Sequence, residues 1–269
     1  TIVYAPVAHW VWGGGWIGAD GAGALDFAGG TVIHINAGAA AVAAALLVGR
    51  RKLPGLQPNN VPYIVLGASI LWFGWFGFNG GSALASDDYA VNAMLVTQIA
   101  AGTSATTWGI LSMISSGKIS AVGTATGAVA GLVAITPAAG AVNPMGALAI
   151  GFGAGLICYY AVELIHKTRL DDALDVFAVH GVGGLWGCIA TGIFAIESIA
   201  GVKGVVQGEF DQVWIQIYTA LGTLAYSFVI TYGILYILDK IPVLGLRVSD
   251  SNEDQGLDLS EHGEQSSIE

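Results

Sequence analysis

Charge is nearly absent from most of this chain, and its absence comes in long runs. Stretches of roughly 20 apolar residues, the length that crosses the hydrocarbon core of a bilayer, fall at approximately 25–49, 61–83, 89–115, 119–141, 145–166, 174–196 and 213–238. An apolar fragment from Thr1 to about Trp12 precedes them. Backbone groups in lipid must be satisfied within their own segment, so runs of this length are helices. A soluble domain could not cover itself with what remains. Charged residues make up 10% of the chain, well under half of the ~25% usual in soluble domains. The 40 glycines lie inside apolar runs rather than polar linkers, which points to close helix packing and not to disorder. The expected fold class is therefore an all-α polytopic membrane protein, with seven full spans plus the end of an eighth.

The basic residues test that parsing. Arg50, Arg51 and Lys52 follow the first full span, Lys118 the third, Lys167 and Arg169 the fifth, and Lys240 and Arg247 the seventh. Only Lys203 falls on the opposite side, so eight of nine follow the positive-inside pattern. A cytoplasmic C-terminus and a multi-pass position in the plasma membrane are expected. Much of the net charge of −10 sits in Asp250 to Glu269, which reads as a solvated tail. The domain division is thus a transmembrane domain over 1–240 and a cytoplasmic tail over 241–269. Thr1 already lies in an apolar segment with no charged region before it, so no leader is expected. Cys158 and Cys188 read as small packing residues. Gly123, Gly127 and Gly131 recur every four residues, as do Gly151 with Gly155 and Gly183 with Gly187, a spacing that suits helix seams.

Five ionisable residues fall within the spans: Asp26, His34, Glu163, Asp175 and His180. Asp26 and Asp175 open their helices, where a carboxylate can cap exposed amides. Glu163 lies near a cytoplasmic end and can snorkel; His9, His166 and His262 lie at boundaries or in the tail. His34 and His180 sit well inside spans, where an imidazole is costly and faces a cavity or a partner. Asp26 precedes His34 by eight residues and Asp175 precedes His180 by five. At 100° per residue neither pair shares a helix face, so the aspartates read as scaffold and the histidines as partners for each other. Neutral imidazole offers one donor and one acceptor, and an apolar lining favours the neutral form. That spot suits a small hydrogen-bonding solute. Zinc is the competing reading, but two histidines without nearby cysteines are too few ligands. Aromatic residues add a cation-attracting surface: Trp12 at the outer end of the fragment, and Trp72 to Phe78 in the outer half of the second span, with Ser82 beyond as a hydroxyl acceptor.

At these residues the chain resembles the ammonium transporter (Amt/Mep/Rh) family, closest to its bacterial and archaeal branch. The matching stretches are HWVWGGG at 9–15, ALDFAGGTVIHINAG at 24–38, WFGFNGGSA at 75–83 and ALDVFAVHGVGGLWG at 173–187, with GLRVS at 245–249 and GLDLSEHGE at 256–264 in the tail. The resemblance implies an ammonium-transporter fold of inverted five-helix repeats plus a C-terminal helix, assembled as a homotrimer with one pore per subunit. It implies that His34 and His180 are the paired pore histidines and that Trp12 and Ser82 recruit ammonium at the outer face. It places Phe78 as the inner member of a gate, Trp75 and Val176 as pore lining, and Asp26 as an essential, largely architectural carboxylate. Asp175 is expected to be structural as well. The implied solutes are ammonium and ammonia, with methylammonium as an analogue. The implied partners are the lipid bilayer and a PII-type regulatory protein at the tail. No cofactor, metal or nucleic acid is implied.

Against the family pattern of about eleven spans, the first three helices and most of the fourth are not in this sequence. The second repeat is complete over 61–196, and the first retains only its last helix intact. The expectation is a fragment whose remaining helices belong to a separate chain or another part of the same polypeptide. The reading is a transporter, not an enzyme, since neither a nucleophile–base pair nor a metal set is present. An ammonium sensor on the same scaffold is the alternative, for which a recognisable signalling domain after Leu238 would be expected. Ser260, where some relatives carry a regulatory hydroxyl, reads here as solvated.

Overall fold

The computed structural model describes residues 1–53, 58 and 60–264, which are folded into helices joined by short turns. In chain order the longer elements are α1 (Tyr4–Trp12), α2 (Asn36–Val48), α3 (Val61–Gly81), α4 (Asp88–Ser116), α5 (Ala121–Ile135), α6 (Pro144–Ile165) and α7 (Gly183–Phe194). A four-residue helix α8 (Glu197–Ala200), the long α9 (Asp211–Asp239) and the tail helix α10 (Asp250–Gln255) follow. Two π-helical segments, Gly30–Ile35 and Phe177–Val182, run directly into α2 and α7. Counting those segments with their helices, five elements among the described residues combine the length and apolar character of a membrane span. They are Gly30–Val48, Val61–Gly81, Pro144–Ile165, Phe177–Phe194 and Asp211–Asp239.

Three expected spans are shorter than the apolar runs that announced them. The run 25–49 is helical only from Gly30, because Asp26 holds the preceding loop. The run 119–141 leaves the helix after Ile135, where Pro137 has no N–H to continue the ladder; tight turns then carry the chain through Ala141. The run 174–196 is helical only from Phe177. The ends themselves are capped by the residue types expected: Asn60, Asp87, Ser120 and Asn143 each accept a backbone N–H at the start of α3, α4, α5 and α6.

The core is a stack of small-residue contacts. Gly127 and Gly131 of α5 lie against Trp108, Ser104 and Ala100 of α4, and Gly151 and Gly155 of α6 lie against Ala100, Ser104 and Thr107 on the same helix. Gly187 of α7 lies against the backbone of Ala134 in α5. These are the seams that the four-residue spacing suggested, and each brings one backbone against another. Cys158 and Cys188 are buried free thiols.

The tail is largely exposed, yet part of it is tied to the loop after α2. Arg247 donates to the carbonyls of Val48 and Arg50 and pairs with Glu253. Lys52 donates its backbone N–H to Glu253 and pairs with Asp254 at 2.9 Å. The acids of α10 therefore dock on the basic loop after α2, and opposite charge is the physical reason. Ser260 donates to the Asn252 carbonyl at 3.1 Å rather than to solvent alone. Residues 265–269 of the expected tail lie outside the described residues.

On the same basic loop, Arg51 grips Asp171 through its guanidinium at 2.7–3.1 Å and through its backbone N–H at 2.8 Å. The bound guanidinium holds the Asp171 carboxyl below the ordinary aspartate range. A carboxyl depressed in the folded state contributes stability above its unfolded pKa and loses it as pH falls through the folded value. The difference in melting temperature between the wild type and Asp171→Asn is expected to be largest near neutral pH. It should vanish below the depressed range, as read from thermal unfolding in detergent across a pH series.

Candidate functional site

His34 and His180, 146 residues apart, meet through their Nδ1 atoms at 3.1 Å. Their ring centroids are 5.2 Å apart and tilted by 32°. Each imidazole stands on a π-helical segment, His34 on Gly30–Ile35 and His180 on Phe177–Val182. A π turn adds a residue to the helical turn and is frequent at functional sites, and here each of these two carries a histidine. The approach is reciprocal. Gly38, four residues after His34, lies against the backbone of Gly181 and His180. Gly184, four residues after His180, lies against His34 Cβ and the Gly30 carbonyl. A side chain at either glycine would separate the two turns.

Each π turn is also held by an aspartate. Asp26 is buried (7% exposed) and accepts four backbone N–H groups: Gly29 and Gly30 on one oxygen at 3.0 and 2.6 Å, Thr31 and Val32 on the other at 2.8 and 3.1 Å. These are the donors that a helix start leaves unpaired. On the second helix that role falls to Asp172, which accepts from Val176 at 3.0 Å and Phe177 at 2.7 Å. Asp175, the residue expected to open this helix, instead takes a left-handed backbone conformation with φ of 55° and accepts from His166 Nε2 at 2.7 Å. Sequence reasoning missed Asp172, yet a signal was available: it precedes His180 by eight residues, just as Asp26 precedes His34. The matching Ala-Leu-Asp text before each histidine drew attention to the wrong aspartate.

Aromatic rings wall one side of the pair. Trp75 stacks on His34 with centroids 5.4 Å apart and planes 12° from parallel, and its indole N–H donates to Thr136 Oγ1 at 2.9 Å. Phe78 lies 6.0 Å from the His34 ring and 5.2 Å from Trp75. The structure thus gathers His34, His180, Trp75 and Phe78 into one cluster. Val176 stands one turn before His180, with its N–H committed to Asp172. Trp12 and Ser82 are placed by separate bonds. The Trp12 indole donates to the Asp26 carbonyl at 2.8 Å with its ring 47% exposed, and the half-buried Ser82 hydroxyl donates to the Phe78 carbonyl at 2.8 Å. Beyond the His180 end lies a cavity of about 930 Å³, lined in part by Arg51, Tyr63, His166, Asp171, Asp172 and Asp175.

The hydrogen-bond arithmetic of the histidine pair is restrictive. Only one Nδ1 can carry the proton of the Nδ1–Nδ1 bond. In the neutral pair the other ring must then carry its proton on Nε2. The pair so presents one Nε2 acceptor and one Nε2–H donor, whichever ring holds which tautomer. His34 Nε2 is buried with no hydrogen-bond partner among the described residues. Among the described residues no group of three or more His, Cys, Asp or Glu is gathered as a metal site.

Comparison with known proteins identifies the family. A profile of the Ammonium Transporter Family matches residues 1–267. The chain is 52% identical over 265 residues to the ammonium transporter of Aquifex aeolicus, covering 98% of this chain and 62% of that protein. It is 46% identical to the ammonium transporter Amt1 of Archaeoglobus fulgidus, covering 98% of this chain and 67% of the other. Among solved structures, Mep2 of Candida albicans superposes with a TM-score of 0.87 at 40% identity, over 93% of this chain and 58% of that one. A structure described as a sensor Amt protein gives 0.87 at 36% identity, over 97% of this chain and 67% of that one. The chain spans about three fifths to two thirds of the length of these relatives. All-helical architecture, apolar spans, the profile match and two high-identity relatives agree: the chain belongs to the ammonium transporter family.

Proposed function

We propose that this chain forms part of a membrane path for ammonium, in which ammonia passes the His34–His180 pair at the middle of an apolar pore. The observation that carries the reading is the part-buried Nδ1–Nδ1 bond of 3.1 Å beside a His34 Nε2 with no partner among the described residues. A neutral site with one donor and one acceptor matches ammonia, which has three N–H groups and one lone pair. It offers a potassium ion neither charge nor an oxygen cage to replace its water. Trp12 and Ser82 recruit ammonium by the electron-rich ring face and the hydroxyl oxygen. The ion gives up its proton to outer water before the Phe78 gate, Trp75 and Val176 line the way inward, and the ammonia takes a proton from water on the inner side. Asp26 and Asp175 are structural in this reading. Asp26 is unsuited as the proton acceptor, since both its oxygens already serve two backbone N–H groups each.

The whole assembly in this reading is a homotrimer in the plasma membrane, completed by further helices and accepting methylammonium as an analogue. Residues 1–240 form its transmembrane domain. Residues 241–269 form a tail on the cytoplasmic side, where eight of the nine basic residues gather. The tail is the surface offered to a PII-type regulator. A second reading, ammonium sensing on the same scaffold, is favoured by the likeness to the sensor Amt structure at a TM-score of 0.87.

The test is ammonium uptake by liposomes holding the complete assembly, with and without an imposed proton gradient. The wild type is expected to move ammonium and exclude potassium. Changing both His34 and His180 to alanine should cut ammonium flux or admit potassium. Unchanged flux and selectivity in that variant would remove the histidines from the pathway, and no flux in the wild type would favour the sensor.

A further inference from the structure

Asn79 lies on α3 one residue beyond Phe78 and one turn beyond Trp75, and it is fully buried at 0% exposure. Its amide is held by one bond, Nδ2 donating to Thr97 Oγ1 at 2.9 Å. The direction of that bond is fixed by the next one. The Thr97 hydroxyl has a single proton, which it donates to the Ala93 carbonyl at 2.6 Å, so toward Asn79 it can only accept. The nitrogen of the amide therefore faces Thr97, and the oxygen faces away from it. Among the described residues Asn79 Oδ1 has no hydrogen-bond partner.

Donors on the neighbouring turns of α3 and α4 are already committed. Trp75 Nε1 is spent on Thr136 Oγ1 at 2.9 Å. The two amide protons of Asn92, farther up α4, go to the carbonyls of Ala139 and Val142 at 3.3 and 3.1 Å. Gly80 packs against the Met94 side chain, which closes the α3–α4 seam beside the amide with an apolar group. A carbonyl oxygen buried with no donor is costly, and folded proteins meet that cost with an enclosed small molecule where the surroundings are polar.

We propose that Asn79 Oδ1 is the anchor of an additional binding site, between α3 and α4 behind the Trp75–Phe78 pair, for one small hydrogen-bond donor. Water and ammonium share the required chemistry, since each presents polarised hydrogens to a fixed oxygen. Its anchor is a residue other than the histidine pair, Trp12 and Ser82. It stands whether the protein transports ammonium or senses it, because it rests on the amide's geometry alone.

The test has two arms. In a high-resolution structure of the complete protein without ammonium, density for a single small molecule is expected within hydrogen-bond reach of Oδ1, and in Asn79→Leu that density should be lost. Asn79→Asp, whose neutral carboxyl can donate to Thr97 Oγ1 and still leave one oxygen free as an acceptor, serves as the folded control and should retain it. In the second arm, the wild type is loaded with ¹⁵N-ammonium and examined by solid-state NMR for dipolar transfer to the Asn79 side-chain carbon. Transfer identifies ammonium as an occupant; density without transfer identifies water; both support the site. A protein donor on Oδ1, or an Oδ1 with neither density nor transfer, overturns it.

Discussion

Asp26→Ala is expected to yield little or no folded protein. The substitution leaves the backbone N–H groups of Gly29, Gly30, Thr31 and Val32 without their acceptor in a buried position. An orphaned buried donor costs about 1–3 kcal/mol, so four of them exceed about 4 kcal/mol even at the low end. That is comparable to the whole margin of a modestly stable domain, about 5–15 kcal/mol. The local consequence is as severe as the global one, because those four groups begin the π turn that carries His34. Asp26→Asn should fall between the wild type and the alanine variant, since its one oxygen can serve only one pair of donors. The measurements are recovery of monodisperse protein from detergent and its melting temperature. An alanine variant as stable as the wild type would mean that the loop is held by something other than this carboxylate. On the second helix, Asp172→Ala should be milder, as two donors rather than four lose their acceptor.

Gly38→Ala is expected to part the two histidine turns and, under the proposed function, to abolish most ammonium passage. A β-carbon there would overlap the backbone of Gly181, directly after His180. Overpacking a tight contact costs about 1–3 kcal/mol when side chains can yield, and backbone yields less, so the effect should lie at or beyond the top of that range. Gly184→Ala should be gentler. Its β-carbon would come to 3.1 Å from His34 Cβ and 3.2 Å from the Gly30 carbonyl, a squeeze that a small shift relieves. Gly67→Ala on α3, with nothing within 4 Å of the added carbon, is the control for inserting a methyl group as such. Thermal unfolding separates loss of fold from loss of passage. A Gly38→Ala protein that melts and transports as the wild type does would show that the close crossing of these helices is not required.

Some of this could be read without coordinates. Eight of nine basic residues on one side of the expected spans, and glycines at four-residue spacing, are one-dimensional records of bilayer and packing constraints. The prominence of His34 and His180 came from the same source, since a polar side chain deep in an apolar run is costly wherever its helix points. Residue types alone sufficed there because bilayer thickness and burial cost act on each residue separately.

Partnership was a different matter. The text ALDVFAVH suggested Asp175 as the cap of its helix, but the left-handed backbone at that residue turns it toward His166 and leaves the cap to Asp172. The pairing of the largely exposed acids of α10 with Lys52 and Arg247 appeared only when the chain returned them to the loop after α2. The unpartnered oxygen of Asn79 is defined only by what Thr97 does with its one proton.

The sequence by itself determined that this chain crosses a membrane as apolar helices and carries two histidines where lipid penalises them, because composition and run length suffice for both. Only the tertiary structure decided that those histidines meet Nδ1 to Nδ1, each on a π turn and each crossed by the other's glycine. The physical reason is that a hydrogen bond between residues 146 positions apart depends on how two helices cross, and no periodicity along either helix records that crossing.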